Sequence, residues 1–187
     1  MPDITYHLAT PEEVKDIKYK LAGKDDISIF FDFFKQSIDT QFEDYSKETL
    51  TYFTQKDYDK WWISKSISDK SKYIYLAMFN EKIVGFILFS KVYGGVTNAS
   101  WLAVSPEFQG KGVGTTLVSE WERWAKRENA HSMYLWSKDK NIPFYKKLGF
   151  NVSGKFPNAW FGVTTNLLFK TLKMVDPTTY IPNSMIN

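Results

Sequence analysis

The hydrophobic period of this chain changes at Tyr73, and that change restricts its fold more than any other feature. Tyr73 to Phe79, Ile83 to Tyr93 and Val96 to Val104 are rich in β-branched and aromatic residues, joined only by Asn80-Glu81-Lys82 and by Gly94-Gly95. Connections that short join antiparallel neighbours, so the three segments predict a β-meander. Ahead of it, between Ile27 and Ser68, apolar residues recur at helical spacing in pieces: Phe30, Phe34 and Ile38, then Tyr58, Trp61 and Trp62. That spacing predicts two or three short helices. Beyond it, Val113, Leu117, Trp121, Trp124 and Ala125 mark one face of a helix reaching about Glu128. Ser132 to Trp136 then reads as a buried strand and Asn141 to Leu148 as a short helix capped by Gly149. Phe150 to Phe156 and Thr165 to Lys173 can pair as a final hairpin.

At the start, Ile4 to Ala9 is a short extended run. Thr10-Pro11-Glu12-Glu13 follows, with a capping hydroxyl, a proline at the first helical position and a glutamate three residues after the cap. Those signals predict a helix running to about Leu21, broken by Gly23 to Asp26. The order strand, helices, three-strand meander, helix, strand, helix, hairpin describes an α/β fold of the α+β kind. Its sheet is mixed, mostly antiparallel and flanked by helices. No linker, repeat or low-complexity stretch divides it. A single domain over residues 1–174 is expected, with a loosely ordered tail at 175–187.

Composition narrows the chemistry. A chain of 187 residues buries enough surface for a core without staples. With no cysteine and only His7 and His131, disulfide frameworks, Cys-ligated zinc and thiol nucleophiles are excluded, and a metal site is not expected. The apolar run Ile83 to Ser90 is far short of the ~20 residues that span a bilayer, and Met1-Pro2-Asp3 opens no targeting segment. A soluble cytoplasmic protein without membrane or nucleic-acid partners is the expectation. The net charge of +3 hides an asymmetry: Asp25 to Asp69 holds ten acids against five lysines, and the remainder nets +8. Eleven of the 33 aromatic residues also fall between Ser28 and Trp62. This is no uniform basic field for a nucleic acid, but an acidic, aromatic stretch on a basic scaffold.

The chemistry concentrates in Gln109-Gly110-Lys111-Gly112-Val113-Gly114-Thr115, set between a strand and an amphipathic helix. Glycines there let backbone N–H groups approach a ligand, and a helix start adds free donors and a positive dipole end, which suits phosphate oxygens. A tight strand-to-helix turn would use the same residues. The dinucleotide pattern fails because Thr115 stands where glycine is needed, and the Walker pattern has no match in this stretch.

The loop instead matches Gln/Arg-x-x-Gly-x-Gly/Ala, and with two further segments it resembles the GNAT (Gcn5-related) N-acetyltransferase superfamily. Trp101-Leu102-Ala103-Val104-Ser105-Pro106-Glu107-Phe108 is similar to that family's fourth strand and its approach to the pyrophosphate loop. Asn141-Ile142-Pro143-Phe144-Tyr145-Lys146-Lys147-Leu148-Gly149-Phe150 is similar to its Asn...Phe-Tyr-x-Lys-Leu-Gly-Phe segment. The element order also resembles the family's β-α-α-β-β-β-α-β-α-β-β, over roughly Ile4 to Lys173.

The resemblance implies acetyl-CoA as cosubstrate, no metal, and direct transfer of the acetyl group to a primary amine in a ternary complex. Main-chain groups of Leu102, Ala103 and Val104 would pair with the pantetheine arm. Gln109, Gly110, Lys111, Gly112, Val113 and Gly114, with the Thr115 hydroxyl, would hold the pyrophosphate. Asn141 would hydrogen-bond the coenzyme, and Tyr145 would protonate the departing thiolate. A phenol stays protonated at neutral pH, as that step requires. Taken alone, an aromatic three residues from both Ile142 and Leu148 packs a sheet just as readily. Some members of the family carry a glutamate base on strand four, but Val96 to Val104 contains no acid. Proton removal is assigned to water, with Asp32, Glu43 or Asp44 as candidate helpers that read more readily as solvated surface.

In this family the segment between the first helices usually lines the acceptor pocket. Here it holds the acidic excess with Phe30, Phe31, Phe33, Phe34, Phe42, Tyr45, Trp61 and Trp62, most of which are expected in the core. The remainder would favour a small cationic amine, with Asn158, Trp160 and Phe161 on another wall. A non-catalytic acyl-CoA sensor, and a protein lysine or N-terminal acetyltransferase, stand as alternatives. A homodimer is also left open.

Overall fold

The computed structural model describes residues 9–175. Its helices are α1 (Pro11–Lys15), α2 (Ile27–Gln41), α3 (Lys47–Tyr52), α4 (Lys60–Ser68), α5 (Val113–Arg127) and α6 (Ile142–Lys147). Its strands are β1 (Lys18–Leu21), β2 (Lys72–Phe79), β3 (Lys82–Ser90), β4 (Val96–Val104), β5 (Ser132–Ser137), β6 (Asn151–Phe156) and β7 (Thr165–Thr171). The strands follow the order β1-β2-β3-β4-β5-β7-β6. Pairing is antiparallel for β1 with β2, β5 with β7 and β6 with β7, and parallel for β4 with β5. The expected α/β class with a mostly antiparallel sheet is what this chain adopts. The residues group into two compact units, one through Leu88 with Trp101–Glu120, the other Phe89–Ser100 with the chain from Trp121 on.

In the first unit, the capping box at Thr10 forms as expected, the Thr10 hydroxyl accepting from Glu13 N–H while the Glu13 carboxylate accepts from Thr10 N–H. The helix it starts nevertheless ends at Lys15, and Lys18–Leu21 is a strand rather than the last turn of a helix to Leu21. Its backbone pairs with β2 from Lys18 opposite Met78 to Leu21 opposite Tyr75. The extended run expected at Ile4 to Ala9 lies, except for Ala9, outside the described residues, as do His7 and all but the first residue of the expected tail.

The helices expected between Ile27 and Ser68 are α2, α3 and α4, with a turn of π-helix over Phe53–Asp57. Along α2 the buried positions are Ile27, Phe30, Phe34, Ser37 and Ile38, one stripe at helical spacing. Phe30, Phe34 and Ile38 are fully enclosed with Phe86, Leu76 and Ile63, each contributing ~1.5–3 kcal/mol of burial. The ring of Trp101 on β4 meets four others edge-on, Phe42 at 5.0 Å, Phe53 at 5.3 Å, Tyr58 at 5.6 Å and Phe34 at 5.9 Å. The aromatic excess of this stretch is therefore core: Phe31, Phe33, Phe42, Tyr45 and Trp62 pack against it half-buried. Trp61 alone of the eight is largely exposed, at 68%, with the Lys65 ammonium 5.1 Å from its ring centre.

Between β2 and β3 the loop is the pair Asn80-Glu81, with φ of 46° and 62°. Two left-handed residues make the hairpin turn whose twist matches that of the strands. In the second unit, Gly94-Gly95 turns likewise, and Tyr93 and Val96 exchange both backbone bonds across it at 2.9 and 3.0 Å.

The core of the second unit is built on Trp121 of α5, fully buried between Phe89 and Phe150. Its indole N–H donates to the Thr97 hydroxyl at 3.3 Å, which donates to the Ser90 carbonyl at 2.7 Å, so both of these buried groups are satisfied. Helix α5 closes with Asn129 in the left-handed region, Ala130 N–H reaching Ala125 O and Asn129 N–H reaching Lys126 O, a Schellman end. Strand β5 alternates half-buried and buried positions, and Met133, Leu135 and Ser137 form its buried face.

Candidate active site

In the first unit β4 runs past its paired stretch. The parallel register with β5 covers Val96–Ala99 against Ser132–Leu135, and Leu102, Ala103 and Val104 lie beyond it. A short turn at Pro106–Phe108 follows, fixed by Ser105 N–H to Val84 O at 2.8 Å and by Phe108 packing on Phe79. The Gln109 N–H closes that turn on Pro106 O at 3.2 Å. Its side-chain amide donates to Val104 O at 2.9 Å and to Gln41 Oε1 at 3.2 Å. Gln109 thus ties the strand end to the loop, and its N–H is already committed. The Lys111 ammonium is also engaged, with the Ala9 carbonyl.

Gly110 and Gly112 have φ of +72° and +86°, and a Cβ at either would meet no atom within 4 Å. These glycines are needed for backbone shape, and they leave the loop open to approach. The α5 ladder begins with Thr116 N–H to Gly112 O at 2.9 Å. The N–H groups of Gly112, Val113, Gly114 and Thr115 therefore have no acceptor within the helix and converge at its positive end. Val113 is buried, whereas Gly112 and Thr115 are exposed.

In the second unit, Asn141 precedes α6, exposed, with its side chain not used as a cap. Tyr145 is buried, its ring 4.9 Å from Phe144 and 5.7 Å from Phe150. Burial pushes its phenol well above the ordinary value, so it stays a neutral donor throughout the physiological range. Gly149 has φ of +85° and ends α6 as expected. Phe150 N–H reaches Tyr145 O at 3.1 Å and Gly149 N–H reaches Lys146 O at 3.0 Å, again a Schellman end. Near the strand ends, Asp139 accepts from Lys155 at 2.6 Å and from Asn166 at 2.7 Å, and those bonds hold its carboxyl below the usual range. Asn158, Trp160 and Phe161 sit in the loop between β6 and β7. Trp160 is half exposed, its ring 4.9 Å from Trp136 and 5.8 Å from Phe156.

Asp32, Glu43 and Asp44 are exposed. One carboxylate missed in the sequence is Asp57, at the end of the π-turn, where burial raises it above the usual carboxylate range. Nothing in the string Thr54-Gln55-Lys56-Asp57 signals burial. Among the described residues no group of three His, Cys, Asp or Glu side chains could hold a metal ion, and no helix is long and apolar enough to cross a membrane.

A strand end beyond its parallel pairing, a glycine loop and a helix start with N–H groups outside the helix ladder make a scaffold suited to an anionic ligand. The profile of the acetyltransferase (GNAT) family matches residues 32–150, and the chain belongs to that family. An uncharacterised N-acetyltransferase of Methanocaldococcus jannaschii is 25% identical over 154 residues, 73% of this chain and 62% of the relative. A streptothricin acetyltransferase of Escherichia coli is 28% identical over 100 residues, 52% of this chain and 58% of the relative. The chain thus spans about three fifths of the length of these relatives. In fold it is similar to the PaiA N-acetyltransferase of Thermoplasma acidophilum in complex with coenzyme A. That likeness has a TM-score of 0.70 at 20% identity and covers 83% of this chain and 98% of that one.

Proposed function

We propose that this protein is an acetyl-CoA-dependent N-acetyltransferase that acetylates a small, cationic primary amine directly, within one domain over residues 1–174. The observation carrying this reading is the loop from Gly110 to Thr115, with two left-handed glycines and four unshared helix-start N–H groups. That donor set fits a pyrophosphate. In this reading Gly110, Gly112, Val113, Gly114 and Thr115 hold the diphosphate. Gln109 holds the Val104 carbonyl in place, and backbone groups of Leu102, Ala103 and Val104 bind the pantetheine arm as an added strand would. Asn141 hydrogen-bonds the coenzyme, and the Lys111 ammonium braces the loop through Ala9.

When bound, the cosubstrate supplies an electrophilic thioester carbonyl and a thiolate leaving group. The neutral amine forms the new C–N bond, the C–S bond breaks, and the amine proton leaves through water. A strand-four backbone N–H steadies the developing oxyanion, and the Tyr145 hydroxyl donates to the departing sulfur. Burial of Tyr145 supports this role by keeping the phenol protonated. Electrostatic attraction supports a cationic acceptor, since Asp32, Glu43 and Asp44 are exposed in the acidic segment. The likeness to a streptothricin acetyltransferase supports a small-molecule acceptor.

The test measures free-thiol release from acetyl-CoA with streptothricin, polyamines, aminoglycosides, amino acids and peptide N-termini. A cationic small amine is expected to turn over. Tyr145→Phe is expected to lower kcat about 100-fold while acetyl-CoA still binds. Turnover confined to neutral or anionic acceptors overturns the electrostatic reading, and an unchanged kcat overturns the role of Tyr145.

A further inference from the structure

The helix carrying Tyr145 has six residues, and too short a helix cannot hold its own orientation. Its C-terminal turn is held by contacts from distant parts of the chain. The Schellman end takes the carbonyls of Tyr145 and Lys146, and the Tyr145 ring packs on Phe150. Two residues beyond Lys146, the carbonyl of Leu148 accepts from the Lys170 ammonium at 2.7 Å. Lys170 lies on β7, and its ammonium also meets Glu122 Oε2 at 2.6 Å, while Glu122 Oε1 meets Lys126 at 2.7 Å one turn along α5. Lys170 and Glu122 side chains are only 21% and 19% exposed, so this pair is less screened than a surface pair. A cation placed on the last carbonyl also suits the helix dipole. Gly149 makes the approach feasible: a Cβ there would sit 3.2 Å from Lys170 Cε and 3.4 Å from its Nζ.

We infer that Lys170, anchored by Glu122, is the positioning residue that fixes the last turn of α6 and with it the Tyr145 hydroxyl. The inference rests on the proposed role of Tyr145. It adds that the orientation of that phenol is set from β7 and α5, through one carbonyl.

The experiment uses the full chain with tyrosines replaced by 3-fluorotyrosine, the Tyr145 resonance being assigned by its loss in Tyr145→Phe. Lys170→Met is expected to shift or broaden that resonance, and Lys170→Arg to restore it. In parallel, thiol release from acetyl-CoA with streptothricin as the acceptor probe is expected to show kcat lowered about tenfold by Lys170→Met. The KM for acetyl-CoA should be unchanged. In a Tyr145→Phe background the same substitution should cost nothing further, because a residue acting through Tyr145 has nothing left to position. If Lys170→Met does not fold, Glu122→Gln, which keeps the Leu148 bond but loosens its anchor, carries the same measurements with a smaller effect expected. An unmoved resonance, or an equal loss of kcat with and without the Tyr145 hydroxyl, overturns the inference. If Tyr145→Phe itself leaves kcat unchanged, the fault lies in the role given to Tyr145, and the resonance still decides whether Lys170 orients it.

Discussion

Two glycines of the second unit allow the Lys170 contact to be weighed. Gly149 and Gly162 have φ of +85° and +77°, so alanine at either carries a similar left-handed penalty, ~1–2 kcal/mol. Their surroundings differ. A Cβ at Gly162 meets nothing within 4 Å, whereas one at Gly149 comes within 3.2 Å of Lys170 Cε. The lysine end can yield by a few tenths of an ångström, but doing so stretches its 2.7 Å bond to Leu148 O and disturbs its 2.6 Å pairing with Glu122. A hydrogen bond from a charged donor is worth ~1.5–3 kcal/mol, and weakening it by half adds about 1 kcal/mol. Gly162→Ala should therefore cost ~1–2 kcal/mol and Gly149→Ala ~2–3 kcal/mol. Equilibrium urea unfolding measures both, read as a shift in midpoint at unchanged slope. With Lys170→Met already present, the excess at Gly149 should vanish. Equal costs for the two alanines, or an excess that survives removal of the ammonium, would refute the reasoning.

Other outcomes follow from single sites. Glu81 holds φ of 62° in the turn between β2 and β3, so Glu81→Gly, which creates the favoured Asn-Gly pair, should stabilise by ~1 kcal/mol in the same urea assay. The Tyr145 phenol is raised by burial above its ordinary value of about 10. Above that pH the unfolded chain releases this proton while the folded one keeps it, so stability is full below about pH 10 and falls as pH rises beyond. Tyr145→Phe should remove this part of the alkaline loss in pH-dependent thermal melts.

The meander was legible because its connections are short and leave the chain little choice, and the structure keeps its strands within a residue or so of expectation, save that β3 ends at Ser90 rather than Tyr93. The end of α1 was not. Val14, Ile17 and Leu21 fit a helical spacing, but Lys18 to Leu21 find backbone partners on β2, far along the chain, and tertiary pairing outweighs local preference there. The glycine loop and Gly149 could be read because an unusual backbone demands a particular residue. The aromatic excess at Ser28 to Trp62 could not be divided between core and pocket from composition, since a ring buries equally well in either; contacts such as those around Trp101 decide it. Glu122, Lys170 and Gln41 carried no signal at all. A lysine that reaches a carbonyl 22 residues away looks like any surface lysine until the strands are in register.

The strand order in the second unit sets a timetable. β7 follows β5 and β6 in sequence, yet it lies between them, so as the chain is synthesised the two flanking strands exist before the one that joins them. α6 likewise precedes the lysine that grips its end by more than 20 residues. A chain interrupted before Lys170 would carry every glycine and aromatic of the family motifs and still leave Tyr145 without its support. On the proposed reading, the support of the proton donor is thus completed only once β7 has emerged.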